Sequence, residues 1–286
     1  MAYGVSSPDV SNLAVGKGFI LFKPDDQADF FHVGNVPTFT FTPKVTTLDH
    51  YSSMAGSRIK DLTIITEKSG EVKMDLEELT AQNLAMLLMG DVGNDGGTPP
   101  NPQVQIFSRS SFIGELKFYA TNEVGPRWFV DLLSVNLVPS GDFSPIIDNA
   151  FVKLVVSGSV QSIDGVFGSM TLMPPVSTMS PTNVLLPSIT GGSSTTSPGA
   201  PKVGDVLSVT VGGWIGATKY TYEWQSGTGT AGPWTPITGQ TGKTYTVVAG
   251  DVGKSFQVIV TGVNAIGSTP ATSPNTLVAA TTKEAA

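Results

Sequence analysis

Few residues of this chain have side chains that could carry out chemistry. His32 and His50 are the two histidines, and there is no cysteine, so a thiolate nucleophile, a thiolate metal site and a disulfide framework are excluded. No carboxylate stands at metal-ligand spacing from either histidine, and both are interpreted as structural or interfacial. Asp25, Asp26 and Asp29 could offer oxygen ligands to Ca²⁺, but they lack the regular spacing of a calcium loop, so a solvated turn is favoured.

The motifs that mark active sites are also missing. No G-x-S-x-G sequence is present to form a nucleophile elbow, and the segment GNDGG, residues 93–97, lacks the Lys-Ser or Lys-Thr of a phosphate-binding loop. We therefore expect neither enzymatic activity nor a cofactor. Tyr222, Trp224 and Trp234 could form an aromatic sugar-binding face, although a core position for Trp224 and an edge position for Trp234 are favoured.

The composition favours strands and turns over helices. Charged residues make up only 14% of the 286 residues, and Gly (32) and Pro (20) are frequent. No apolar run is long enough to predict a membrane span, and the start lacks the features of a signal peptide, so synthesis and folding in a cytoplasm are expected. Residues 1–176 contain 19 acidic and 11 basic residues, and this excess of negative charge argues against ordinary nucleic-acid binding.

The chain is predicted to form two domains. Residues 174–201 are uncharged and rich in Pro, Gly, Ser and Thr, which is typical of a linker and a flexible turn. We place a first domain at 1–175, a linker at 176–186 and a second domain at 187–286, which ends in a short tail. Strand patterns recur at about ten-residue spacing after the linker, and this spacing predicts a β-sandwich.

Strict alternation predicts half-buried strands in the first domain. In EVKMDL, residues 71–76, apolar side chains alternate with Glu71, Lys73 and Asp75, and in SFIGELKFYA, residues 111–120, they alternate with Glu115 and Lys117. The leucine spacing between 76 and 90 predicts one helix of about 77 to 89, or a shorter helix capped by Thr80. The adjacent Glu77 and Glu78 are interpreted as favourable charges at the helix start.

One segment between two predicted strands shows no pattern. Phe39 and Phe41 alternate with threonines, and Leu62 and Ile64 alternate with polar residues, but residues 43–57 do neither. A hairpin needs a connection of only two to five residues. We therefore predict a long polar loop that does not fold alone.

Residues 35–90 resemble the major tail tube protein of bacteriophages with long, non-contractile (siphovirus-type) tails. The similarity rests on GNVPTFTFTPKVTTLDHYSS, GSRIKDLTI and DLEELTAQNLAMLLMG, and it continues through VDLLSVNLVPSGDFSPIIDNAFVKLVVSGSV. Together these segments extend the resemblance over most of residues 10–170. It implies a mainly β domain, a sandwich or barrel of the tail-tube type with one flanking helix.

The resemblance also implies a function and partners. In that family, hexameric rings stack into a tube around a tape-measure protein, tail terminator and tail-tip proteins close its ends, and DNA passes through the lumen without specific binding. The expected location is the virion tail, after assembly in the host cytoplasm. The loop at 43–57 is then expected to contact a neighbouring subunit. The expected contact residues in and just after this loop are Thr47, Asp49, His50, Tyr51, Met54, Arg58, Lys60 and Asp61.

The face that carries Glu71, Lys73, Asp75, Glu115 and Lys117 is the candidate for the lumen wall. A polar wall suits a barrel with a wet interior, and an acidic wall would not retain DNA phosphates. We therefore expect this face to look into the bore with a net negative charge.

Residues 187–279 resemble a bacterial immunoglobulin-like domain. The similarity rests on VGDVLSV, YEWQSG, PITGQTGKTYTV and DVGKSFQVIVTGVNAIGS. It implies an immunoglobulin-like β-sandwich exposed on a surface, with weak contact to the host surface as one role. This leaves an alternative function open, namely a surface-displayed adhesin or carbohydrate-binding protein that uses the second domain.

Overall fold

The structure is a computed structural model that describes residues 13–54, 56–97, 101–122, 125–173, 179–191, 201–229 and 231–274. The protein is mainly β. Strands up to residue 173 form one body and strands from residue 182 form another. Residues 176–178 of the predicted linker and the two chain ends lie outside the described residues.

The first body is built on an eight-stranded antiparallel sheet. Its strand order is β2-β1-β7-β8-β9-β4-β3, and β10 pairs with β8 beside β9. β5 and β6 form a separate small hairpin. The strands are β1 (Gly18–Pro24), β2 (Phe31–His32), β3 (Thr38–Ser52), β4 (Ile59–Leu76), β5 (Val92–Asn94), β6 (Pro102–Val104), β7 (Phe112–Ala120), β8 (Arg127–Pro139), β9 (Leu154–Val160) and β10 (Gly168–Met173).

The sheet curls around one core. The alternation predicted for residues 71–76 is confirmed, because Val72, Met74 and Leu76 are fully buried while the charged side chains between them face outwards. Phe39 of β3 stacks on Phe118 of β7 at a centroid distance of 5.4 Å, although three strands separate β3 from β7 in the sheet. One face of the sheet therefore closes on itself and leaves the other face to the outside.

The predicted helix is confirmed in its shorter form. Helix α1 (Ala81–Leu88) begins after Thr80, whose side chain accepts a hydrogen bond from the Asn83 backbone N–H. It buries Ala85, Met86 and Leu87 in the core of the first body. The start predicted at residue 77 is wrong.

Glu77 and Glu78 precede the helix and have another role. Their carboxylates accept hydrogen bonds from the side chain and the backbone of Asn35, respectively. The interpretation of these two residues as charges within the helix start is therefore wrong, because they hold the turn before β3 instead.

The loop predicted at residues 43–57 is wrong. Residues 43–52 continue β3 and pair with β4, from Pro43 opposite Gly70 to Ser52 opposite Ile59. The remaining turn lies between residues 52 and 59. We call residues 43–69 the arm. Residues 43–52 show no alternation because neither face of the arm packs on the body, so no apolar and polar sorting of the two faces is required.

The second body has three small antiparallel sheets around a shared core. The sheets are β11-β14, β12-β13-β17 and β16-β15-β18-β19. Trp224 and Phe256 are fully buried at its centre. Its strands are β11 (Thr182–Leu185), β12 (Ser188–Thr190), β13 (Val206–Thr210), β14 (Gly213–Ile215), β15 (Lys219–Thr228), β16 (Trp234–Pro236), β17 (Thr244–Thr246), β18 (Lys254–Val263) and β19 (Ser268–Thr272).

A buried polar contact closes one end of the second body. The Tyr245 hydroxyl donates to the Asp251 carboxylate, which also accepts from the Val248 backbone N–H. Asp251 is only 4% exposed. Burial and the nearby carboxylate raise the pKa of Tyr245, so the phenol keeps its proton and remains the donor.

The segment that leads into the second body is partly ordered as a strand. β11 lies inside the range predicted as a linker and pairs with β14. Its apolar Val184 and Leu185 explain why it joins a sheet. The carbonyl of Met179 accepts from the Asn264 side chain, and the Met179 sulfur lies 3.6 Å from Arg127 Nη2 of the first body.

Candidate self-assembly interface

The arm projects from the body as a two-stranded ribbon. β4 pairs with β9 only between residues 70 and 76, whereas its pairing with β3 continues to Ile59. At about 3.3 Å per residue, the ten β3 residues beyond the body give the arm a length of about 33 Å. Beyond Gly70, the outer edges of both strands have no pairing partner among the described residues.

One face of the arm is an exposed apolar stripe. The pairs Leu48–Ile64, His50–Leu62 and Ser52–Ile59 point to the same side, because directly paired residues of antiparallel strands share a face. Four large side chains on this side remain about half exposed. They are Leu48 (59%), Ile59 (58%), Leu62 (55%) and Ile64 (46%), and we call them the arm stripe.

Polar contacts hold the two strands of the arm in register. Asp49 accepts from Lys60 Nζ at 2.8 Å and from the Thr63 hydroxyl at 2.8 Å. The hydrogen bond from Lys60 lowers the pKa of Asp49, and Thr63 adds to this effect. On the stripe side of the arm, His50 Nδ1 lies 2.6 Å from a carboxylate oxygen of Asp61. Exposed ion pairs contribute about 1 kcal/mol or less each, so these contacts fix the register more than they stabilise the ribbon.

The predicted contact residues all lie on the arm but do not form one surface. Thr47, Asp49, Tyr51 and Lys60 share the face opposite to the stripe, and His50 lies on the stripe side. The remaining residues lie at or near the turn, where Met54 is 98% exposed and the Arg58 guanidinium lies 5.2 Å from the Tyr51 ring centroid. Asp61 lies in a bulge of β4, between the partners of His50 and Tyr51, and its carboxylate contacts His50.

The arm stripe is not predicted as a site from the sequence. The alternation of Leu62 and Ile64 with polar residues predicts the buried side of an ordinary strand, and Leu48 falls in the segment predicted as a loop. The sequence feature that could have predicted the arm is the run of β-branched and apolar residues on both sides of a short turn, which is typical of a long hairpin.

The candidate lumen residues share one face of the sheet but differ in exposure. Glu71, Lys73 and Asp75 lie on β4, where Glu71 pairs with Lys44 and Asp75 lies 3.9 Å from Lys153. The contact with Lys44 lowers the pKa of Glu71. Glu71 and Lys73 are open to solvent, whereas the Asp75 side chain is 21% exposed.

Glu115 and Lys117 belong to a more covered cluster on β7 and its neighbours. Glu115 accepts from Lys117 at 2.7 Å and from Lys23 at 3.0 Å, and its side chain is 19% exposed. The Phe30 ring covers both lysines, with centroid distances of 4.5 and 5.0 Å. Burial raises the pKa of Glu115, but the two lysines outweigh it and hold this pKa below its ordinary value. Burial raises the pKa of Asp131 beside them.

The charges on this face nearly cancel. The two groups contain five lysines and four carboxylates, so the described part of the face is not acidic. The negative charge expected for a lumen wall is therefore not concentrated here. The residues are Lys23, Lys44, Lys73, Lys117, Lys153, Glu71, Asp75, Glu115 and Asp131.

The other residues considered for chemistry are engaged in structural contacts. Asp26 is bound by Arg109 Nη2 at 2.7 Å, and no group of three or more possible metal ligands is found in the described part of the chain. His32 stacks on Phe19 at 5.3 Å, and its Nδ1 accepts from the Gly34 backbone N–H. Burial lowers the pKa of His32, although Glu78 opposes this effect.

The aromatic residues considered for sugar binding do not form one face. Trp224 is fully buried in the core of the second body, as the favoured interpretation predicted. Trp234 is half-buried on the edge strand β16, and Tyr222 is half-buried on β15 and packs against the core of the second body.

A protein family described as a protein of unknown function matches residues 13–101, a segment that contains the complete arm and α1. No curated protein matches the chain. Within the described ranges, no helix has the length and apolar character needed to cross a membrane.

Proposed function

We propose that this protein is a structural subunit without enzymatic activity that polymerises with copies of itself. The observation that carries the proposal is the arm, a long two-stranded ribbon with an apolar stripe on one face and unpaired edges. A contiguous exposed apolar surface is typical of an interaction site. An unpaired strand edge is a template for another chain.

The arm contributes nothing to the core of its own subunit. No described residue between 43 and 69 belongs to the buried core or packs against it, whereas Phe39 and Phe41 of the same hairpin do. A two-stranded hairpin without a covered face is marginally stable in water. The arm therefore gains its main stabilisation when a second molecule covers the stripe.

Further edges of the sheet support closure into a ring. β3 is the last strand of the sheet at one side, and β10 pairs only with β8 among the described strands. Met170 and Leu172 of β10 are more than half exposed. If the edge strands of successive copies paired with each other, these unpaired edges would disappear. Ring closure is one way in which β proteins protect their edges.

The type of polymer follows from the resemblance of residues 10–170 to phage tail tube proteins. We propose stacked hexameric rings that form the tube for DNA ejection in a virion tail, with the second body, of immunoglobulin-like type, on the outside. Tape-measure, terminator and tail-tip proteins are the further partners of this proposal. The exposed face of β4 with Glu71, Lys73 and Asp75 is proposed to line the lumen, where its nearly balanced charges would not retain phosphates.

Removal of the arm tests the proposal. Residues 45–68 pair with each other from Val45 opposite Lys68, so they can be replaced by Asn-Gly, which favours a tight hairpin turn. We expect an unchanged thermal melt, because the core is untouched, and loss of polymers in negative-stain microscopy. The matched control replaces the exposed Ala265 and Ile266, in a turn of the second body, with Asn-Gly.

Two results would oppose the proposal. Polymers of normal abundance from the arm-deleted chain would show that the arm is not an assembly contact. A wild-type chain that remains monomeric at every accessible concentration would refute self-assembly itself.

A further inference from the structure

A second exposed apolar segment lies at the opposite end of the same strands. β8 ends at Pro139 and β9 begins at Leu154, and we call residues 140–151 between them the end loop. β9 pairs with β4 from Leu154 opposite Leu76 to Val160 opposite Gly70. The end loop therefore lies at the Leu76 end of β4, whereas the arm leaves the body at the Gly70 end.

The end loop exposes large apolar side chains. Ile146 is 95% exposed and Phe151 is 81% exposed, and Phe143 and Ile147 are exposed by 40% and 48%. None of the four belongs to the core cluster of the first body or packs against it. Such side chains are costly to leave in water, and here they are gathered within nine residues.

The charges of the arm and the end loop are complementary. The end loop has Asp142 and Asp148 and no basic residue. The arm has four basic and three acidic residues, and Arg58 and Lys60 lie near its tip. The arm is thus a weakly basic part of an acidic domain, and the end loop is purely acidic.

We propose that the arm stripe of one copy docks on the end loop of the next copy, so that copies stack head to tail. This inference rests on the proposed self-assembly and names both halves of the axial contact. Donor and acceptor lie at opposite ends of the strands, so copies in the same orientation can repeat the contact along a stack, whereas closure within a pair would require the two copies to lie antiparallel. The arm is about 33 Å long, and the seven-residue β9 is roughly 23 Å long. The arm is therefore long enough to reach past the edge of a neighbouring body.

Cross-linking tests the contact directly, because the chain has no cysteine. Met54→Cys places a thiol at the arm tip and Ile146→Cys places one on the end loop, and both positions are almost fully exposed. The full-length double variant, first shown by microscopy to polymerise, is treated with a short bis-maleimide. We expect a ladder of covalent oligomers. Each single variant alone should stay uncross-linked, and a mixture of the two should stop at dimers.

The outcomes separate this inference from the proposed function. Polymers of the double variant without a ladder would refute the arm-to-loop contact and leave self-assembly standing. Dimers from Met54→Cys alone would show an arm-to-arm contact and would therefore also refute the arm-to-loop contact. Absence of polymers from the wild-type chain would remove the proposed function and this inference together.

Charge reversal gives a second test that needs no cross-linker. Arg58→Glu, and separately the pair Asp142→Lys and Asp148→Lys, should each raise the concentration needed for polymerisation by up to about fivefold, as expected for exposed ion pairs. Combining all three substitutions should restore part of the loss. Equal concentrations for all variants, or a further loss in the combination, would contradict the docking.

Discussion

Replacing two residues of the arm stripe should weaken polymerisation without unfolding the subunit. Leu48 and Ile64 face each other across the arm and are 59% and 46% exposed. Complete burial of such a side chain stabilises by about 1.5–3 kcal/mol. Roughly half of each remains to be covered, so each contributes about 1 kcal/mol to a contact. The double substitution Leu48→Thr and Ile64→Thr should therefore cost about 2 kcal/mol.

This loss corresponds to an approximately 30-fold weaker contact, since about 1.4 kcal/mol is a factor of ten. Sedimentation velocity over a concentration series should show polymers at roughly 30-fold higher concentration than for the wild type. Threonine retains β propensity, and exposed substitutions change folding stability by about 0.5 kcal/mol or less. The monomer melt should therefore hardly change.

A matched control separates the stripe from general surface hydrophobicity. Val206 and Val248 of the second body are 55% and 52% exposed, and Val206→Thr with Val248→Thr should leave polymerisation unchanged. The reasoning would be refuted if both double variants polymerised at the wild-type concentration. It would also be refuted if the arm variant lost 2 kcal/mol of monomer stability, because the stripe would then pack within its own subunit.

Three other predictions follow from side-chain contacts. Tyr245→Phe leaves Asp251 without its phenol donor and should destabilise the second body by about 1–3 kcal/mol in denaturant unfolding, with polymers unchanged; an unaltered transition would contradict this. Glu115→Gln should cost the first body about 1–2 kcal/mol at neutral pH. Because the folded-state pKa of Glu115 is lowered, the difference in stability between the wild type and this variant should be complete above about pH 4.3 and should vanish as the pH falls through the lowered pKa. A stability difference independent of pH would contradict the ion pairing of Glu115. Glu71→Lys with Asp75→Lys should permit assembly but slow DNA ejection, more at low than at high salt, and unchanged ejection at low salt would exclude this face from the lumen.

The sequence predicted those elements whose two faces differ in environment. Val72, Met74 and Leu76 alternate with charged residues because one side of β4 is buried there, and the structure confirms them. Residues 43–52 of β3 show no alternation, because the arm has water on both sides and carries apolar and polar residues on both. Leu62 and Ile64 do alternate with polar residues in the arm part of β4, but they are 55% and 46% exposed. The period-two signal therefore predicts a strand with two different faces, but not that the apolar face lies in the core.

Other features depend on contacts between segments far apart in the chain. The covering of Lys117 by Phe30 cannot be predicted from strand alternation, which places Lys117 on the same face as Glu71. The start of α1 at Ala81 was predicted only as an alternative, because Thr80, Glu77 and Glu78 all suit a helix start. The hydrogen bond from Asn35 to Glu78 holds Glu78 before the helix, so the helix begins at Ala81. The apolar run in the end loop was visible in the sequence, but its position opposite to the arm requires the strand register.

The most direct test of self-assembly is negative-stain microscopy of the purified full-length protein over a series of increasing concentrations. We predict rings at intermediate concentration and hollow tubes of stacked rings at high concentration, with the second bodies as projections on the outside. Single particles of monomer size at every concentration would contradict the account.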